Sequence, residues 1–306
     1  MEKRFTATAL FFSVGFLFML ILAVGAFFYG VQIGSDRIEA KYAALMETDE
    51  QKDEPAVPYQ QQDLVSFYHT VFSPYREFQN EWLNTMSKLS RSEPIEAEAA
   101  FKNLGKLSKR KAEEASAYDM GKSLLLEEAQ IQYIRSMQLF QEAAENAEKA
   151  AKTKDQDELY DYIMNEETYL KAVKQSLEAQ NSYYLAMQKW AASVDPEIPG
   201  EYKAPDLLAL DKWQDKPLVV KNSVVSGYLA DGSKLYPFYP HDLTSRVDLF
   251  IESGGAAKLK LQSFNAVMDL LLSTDAVPSG HFISFKNKLY NNELLPQLPF
   301  FLPDMN

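Results

Sequence analysis

The chain has 306 residues, 46% of them hydrophobic, enough apolar material for one or two cores. A net charge of −12 argues against nucleic-acid binding and against lying flat on anionic lipid. With no Cys in the chain, disulfides, thiolate zinc sites, Cys nucleophiles and a lipid anchor on Cys are all excluded.

Residues 1–8 carry Lys3 and Arg4, and no charged residue then appears until Asp36. The run ALFFSVGFLFMLILAVGAFFYG is apolar on every side, so it lacks the polar face of a surface helix. At ~1.5 Å per residue, residues 9–29 alone reach ~30 Å, the thickness of the hydrocarbon layer. AVGA (Ala23–Ala26) offers small residues of the kind found at a signal-peptide cleavage site. However, FFYGVQIG prolongs the run beyond the ~7–15 apolar residues of a leader. The expectation is an uncleaved transmembrane signal anchor over 9–34, with the lipid bilayer as its partner. Arg37 and Lys41 nearly balance Lys3 and Arg4. Orientation therefore rests on the usual layout of a short basic N-terminus, one span and a large domain: residues 1–8 cytoplasmic, the remainder extracytoplasmic.

Residues 35–62 read as a helical extension, with Ile38, Tyr42 and Leu45 on one side, and an acidic linker containing Pro55 and Pro58. Residues 63–193 predict a helical bundle. Leu64, Tyr68, Val71, Tyr75, Phe78, Trp82 and Leu89 follow a 4-3 spacing interrupted by Thr85. Pro74 predicts a kink or break, with Ser73 capping the restarted helix. Ser92 and Pro94 mark the next start, running through Phe101, Leu104 and Leu107. The basic hexad KLSKRK (106–111) reads as a solvated helix face.

Gly121 predicts an interruption. Leu126, Tyr133, Met137, Phe140, Ala144, Ala147 and Ala151 then keep heptad spacing, with Gln130 in the series and small residues that admit a close neighbour. Asp155, with Glu158 three residues on, predicts the cap of a last long helix through Leu159, Ile163, Leu170, Val173, Leu177, Tyr184, Met187 and Ala191. Glu166 and Gln180 share that seam as register devices or as the lining of a polar cavity. Short connections between long helices predict antiparallel neighbours, three or four in number.

Residues 194–206 form a Pro-rich boundary. Residues 207–293 read as a smaller, mostly helical unit, although the Val-rich KPLVVKNSVVSGYL is also compatible with a strand. Residues 294–306 are a Pro-rich apolar tail. The fold class is mainly α: one N-terminal transmembrane helix, an antiparallel three- or four-helix bundle, and a smaller helical C-terminal unit.

The chemistry-bearing candidates are sparse. The only histidines are His69, His241 and His281. No Glu-x-x-His pair, zinc-protease pattern, phosphate loop, dinucleotide motif or nucleophile elbow occurs. His241 and Asp242, with Asp248 and Glu252 downstream, resemble a metal or acid–base site. The simpler reading makes Asp242 the cap of the following helix. His69 reads as a seam-flanking residue. YPFYP (236–240) suits an aromatic platform for a sugar polymer or peptide, or rings packed inward. Phe300, Phe301 and Leu302 are too apolar to remain free in water. They either dock on their own domain or bind a partner. Tyr236, Phe238, Tyr239, Phe300, Phe301 and Leu302 are thus the candidate interaction surface. No catalytic, metal or cofactor residue is assigned, and no cofactor is expected.

The expected role is a non-enzymatic interaction or scaffold module at a bacterial cell envelope, with a protein partner there. One alternative is a ligand-binding or sensory ectodomain working with a separate membrane partner, because residues 1–8 are too few for a cytoplasmic signalling domain. The other is a hydrolase using His241 and Asp242.

Overall fold

The computed structural model of the chain describes residues 59–121 and 123–302, which belong to one compact unit. The apolar run of 9–34, with most of the linker after it, lies outside the described residues. Among those described, no helix is long and apolar enough to cross a membrane. The described chain is mainly α. Its single extended pairing is an isolated bridge between Ala209 and Ser263.

Helices α1 (Gln61–Phe67) and α2 (Ser73–Ser90) are joined without a break by a π turn, Tyr68–Phe72. The expected Ser73 cap is not formed. Instead, the Ser73 N–H reaches back five residues to the Tyr68 carbonyl. Pro74 lacks an N–H, and its ring crowds the carbonyl four residues earlier; one wide turn relieves both conflicts without ending the helix. The extra residue lets Val71 and Phe72 both face the core, between Phe67 and Tyr75.

Helix α3 (Ala97–Ser116) begins after the expected Ser92–Pro94 start. Ser92 is left outside it with a φ of 50°, its hydroxyl donating to Asp157 Oδ1 at 3.1 Å. The chain breaks around Gly121 as predicted, and α4 (Leu124–Ala150) follows. The last long helix is divided. In α5 (Gln156–Met164), Asp155 accepts the Glu158 N–H as the capping pattern predicts. Then α6 (Glu167–Val194) starts anew at Glu166, whose Oε2 accepts the Tyr169 N–H at 2.7 Å. Glu166 is therefore an N-cap, not a seam residue; Gln180 does lie on the buried face.

Contacts fix the helix directions. Ser108 donates to the Met137 carbonyl and Gln130 to the Ala115 carbonyl, so α3 and α4 run oppositely. Ser136 donates to the Ala172 carbonyl while Phe140 meets Tyr169, so α4 and α6 also oppose. Trp82 touches Phe101, Phe140 and Tyr169 from three helices and is fully buried. A Cβ on Gly105 would lie 3.6 Å from Ala144 Cβ, which is the close α3–α4 approach that small residues allow.

The basic hexad is not wholly solvated. Lys106 and Arg110 are exposed, but Ser108 and Lys111 turn inward. Lys111 meets Glu77 at 2.6 Å and Glu114 at 2.8 Å.

Beyond the Pro-rich crossing come α7 (Leu210–Gln214), α8 (Leu218–Ala230), α9 (Pro240–Glu252), α10 (Gly255–Lys258), α11 (Phe264–Ser273) and α12 (His281–Leu289). The Val-rich run that could have been a strand is α8. It is buried nearly all round because α6 lies on one side and α9 on the other. Its small polar residues bond across to α6: Ser223 to Gln188, and Ser226 to Asn181 at 2.9 Å.

Candidate functional site

The tail meets the bundle and the C-terminal helices in one aromatic junction. A 3-10 turn, Pro299–Phe301, places the Phe300 ring among seven others. Tyr68 and Phe72 of the π turn lie 5.4 and 5.6 Å away, and Tyr183 and Tyr184 of α6 at 6.4 and 6.5 Å. Tyr239 at 5.4 Å, His241 at 5.0 Å and Phe301 at 4.6 Å complete the ring set. The backbone locks in as well: Lys286 Nζ donates to the Phe301 carbonyl at 2.8 Å, and the Gln297 N–H to Gln61 Oε1 at 3.1 Å.

His241 sits inside this junction at 1% exposure, its Nδ1 2.8 Å from the Tyr184 hydroxyl. Burial holds the imidazole well below the ordinary histidine range, and the Arg76 charge adds to the effect. Burial likewise holds the Tyr184 phenol well above its ordinary value, with Asp242 and neighbouring tyrosines reinforcing it. Both groups are therefore neutral, and ring faces cover the imidazole on several sides. Such a pair orders a core; it has no open face from which to exchange a proton with a substrate.

Asp242 performs the capping role. Its Oδ2 accepts the Tyr239 N–H at 3.0 Å at the start of α9. Its Oδ1 accepts the Phe282 N–H at 2.9 Å at the start of α12, so one carboxylate ties two helix N-termini together. Burial pushes its carboxyl up, against the pull of these backbone donors.

Asp248 and Glu252 do not converge on this pair. Asp248 is turned toward α7 and α8. It accepts from Trp213 Nε1 at 2.6 Å, the Tyr290 hydroxyl at 2.6 Å and Lys221 Nζ at 3.0 and 3.2 Å. Glu252 pairs with Lys288 at 3.2 Å on the surface. Among the described residues, no group of three or more His, Asp or Glu could hold a metal ion. His69 is an exposed flank residue whose ring meets Tyr68 edge-on.

The six residues expected as one interaction surface are divided by the fold. Phe300 and Phe301 are buried in the junction, and Phe238 is buried beneath Tyr236, which stacks on it at 4.9 Å. Tyr239 is half-buried, with the Arg76 guanidinium 4.2 Å over its ring. Solvent reaches Leu302, 45% exposed, and parts of Tyr236 and Tyr239, both half-buried. Large apolar rings lose more contact with water by docking on their own chain, so the tail is sequestered.

Two buried residues that the sequence did not single out position the aromatic segment. Arg76 Nη2 donates to the Pro237 carbonyl at 3.3 Å, and Gln79 Nε2 to the Tyr236 carbonyl at 3.3 Å. Arg76 and Gln79 also bond each other at 2.8 Å. Polar residues on a helix ordinarily face water, and only the burial of this α2 face against residues 236–237 reveals their role. Two open grooves flank the C-terminal helices: one of about 1390 Å³ between α6 and α8, and one of about 540 Å³ between α2 and residues 234–238. No protein-family model, curated protein or solved structure matches the chain.

Proposed function

We propose that the chain is a membrane-anchored extracytoplasmic protein. In this reading its helical bundle serves a non-enzymatic interaction or scaffold role at a bacterial cell envelope, with a protein partner there. The observation that carries the anchor is the uncharged stretch between Arg4 and Asp36, long enough to fill the hydrocarbon layer. The mainly α body supports the rest of the reading: it is held together by aromatic, hydrogen-bonded and ion-pair contacts and needs no Cys. The use of His241, Asp242 and Asp248 as packing and capping groups supports a binding role over a hydrolytic one. External protease applied to intact cells is the test. The body should be digested while cytoplasmic markers survive. Protection until lysis, or recovery of the full chain in the detergent-free soluble fraction, would refute the topology.

A further inference from the structure

We propose that the groove between α2 and residues 234–238 is a binding site for a neutral oligosaccharide. Five segments far apart in sequence form it: one face of α2, Tyr160 and Met164 of α5, Tyr169 of α6, the aromatic segment Lys234–Phe238, and Asp275 and Val277 after α11. Its floor is apolar, with Met86, Phe238 and Val277 all buried. Its rim is polar and uncommitted: Asn80, Asn84 and Tyr160 line the groove, and their side chains make no hydrogen bond to any described residue. Its volume of about 540 Å³ is within the range of small-ligand sites.

The wall is pre-built. Arg76 and Gln79, at 6% and 4% exposure, hold the carbonyls of Pro237 and Tyr236 against α2. Ser279 adds a third bond, to the Pro237 carbonyl at 3.4 Å. An irregular aromatic segment held in this way pays little ordering entropy when a ligand arrives.

The ligand class follows from the chemistry of the lining. Planar amides each offer paired donors and an acceptor, which suits vicinal hydroxyls. Aromatic and methionine surfaces suit the C–H face of a pyranose, because the ring face is electron-rich. Charge selects neither sign: Lys234 and Asp275 are the charged residues of the lining and face each other at 3.7 Å. This ligand class deepens the envelope role and rests on it only for where the glycan would be met.

The test uses the full-length chain in a detergent without a sugar headgroup. Chitotetraose and cellotetraose are titrated by calorimetry and saturation-transfer NMR, beside oligogalacturonate and a proline-rich peptide. At least one neutral oligosaccharide should bind saturably. Asn84→Ala and Tyr160→Ala should each weaken it about tenfold, with melting temperature unchanged because both side chains lie on the rim. No saturable binding of either neutral sugar up to about 10 mM would overturn the proposal. So would tighter binding of oligogalacturonate or of the peptide, or binding indifferent to both substitutions. The titration reports on the groove and the protease experiment on topology, so each can fail without the other.

Discussion

At position 242 one carboxylate serves two helices, and the energetic consequence is specific. Asp242→Ala leaves the Tyr239 and Phe282 N–H groups without their acceptor and should destabilise the protein by about 2–4 kcal/mol in urea denaturation. Asp242→Asn keeps one acceptor and removes a buried charge, so its loss should be the smaller of the two. The buried histidines give stability a pH dependence. His281, beside Ser245 at 2.7 Å and near Arg246, is lowered by burial to about 4. His241 is lowered well below the ordinary value. The unfolded chain therefore binds protons first as pH falls below about 6.5, and stability should decline from there toward pH 4. Burial raises Asp242, which contributes the opposite slope, one group against two histidines. Thermal unfolding at pH 7 and pH 5 checks the sign; an unchanged or higher midpoint at pH 5 would contradict it. Asp242 was legible as a capping group because a carboxylate in the first turn after Pro240 has few other uses, but it lies inside α9 at the third helical position and Tyr239 is the N-cap residue. The surroundings of His241 were not, because its partners come from α6, α12 and the tail.

The elements divide by how local their causes are. The helical seams of α1, α2, α4 and α6 follow the 4-3 spacing, since Leu64, Tyr75, Phe78, Trp82, Met137, Phe140 and Leu177 are all buried where the spacing places them. Pro74 was legible as a disturbance but not as a π turn. A break and a widened turn relieve the same clash, and the choice depends on whether flanking side chains are held by a core. The division at Glu166 was missed for a related reason. Leu159 and Ile163 continue the apolar spacing into α6, which hides the restart. The restart itself is marked by Glu166, whose Oε2 accepts the Tyr169 N–H while Oε1 accepts from Asn146 Nδ2 of α4 at 3.4 Å. The tail is the element with the clearest test. Phe300→Ala removes a ring at the centre of the aromatic junction and should destabilise by about 3–5 kcal/mol. Leu302→Ala, at a half-exposed position, should change stability by less than about 0.5 kcal/mol. Equal effects from the two in chemical denaturation would mean that the tail is not docked in solution.

For the molecule as a whole, the described residues form one compact unit in which α8 lies between the bundle and the remaining helices. Bundle and C-terminal helices should consequently unfold together. Fluorescence from the three buried tryptophans, Trp82 and Trp190 in the bundle and Trp213 beyond it, should give the same midpoint as far-UV circular dichroism. Two separated transitions would show independent units. The Asp248 network holds the C-terminal helices together. Asp248→Ala strands Lys221, Trp213 and Tyr290 and should lower stability by about 3–5 kcal/mol. Circular dichroism under urea would record this as one shifted transition, not as a separate early loss of the C-terminal helices.

Periodicity, capping residues and Pro/Gly placement are properties of neighbours along the chain, so the sequence by itself determined the helical class, the seams, the Asp155 and Asp242 caps and the interruption at Gly121. Burial of a polar or aromatic side chain depends on what arrives from elsewhere. Tertiary structure alone therefore decided that the Val-rich run is a helix, that Phe300 is enclosed, that Asp248 holds three partners, and that Arg76 and Gln79 brace the aromatic segment. Each of these depends on contacts between residues far apart in the chain, which local spacing does not encode.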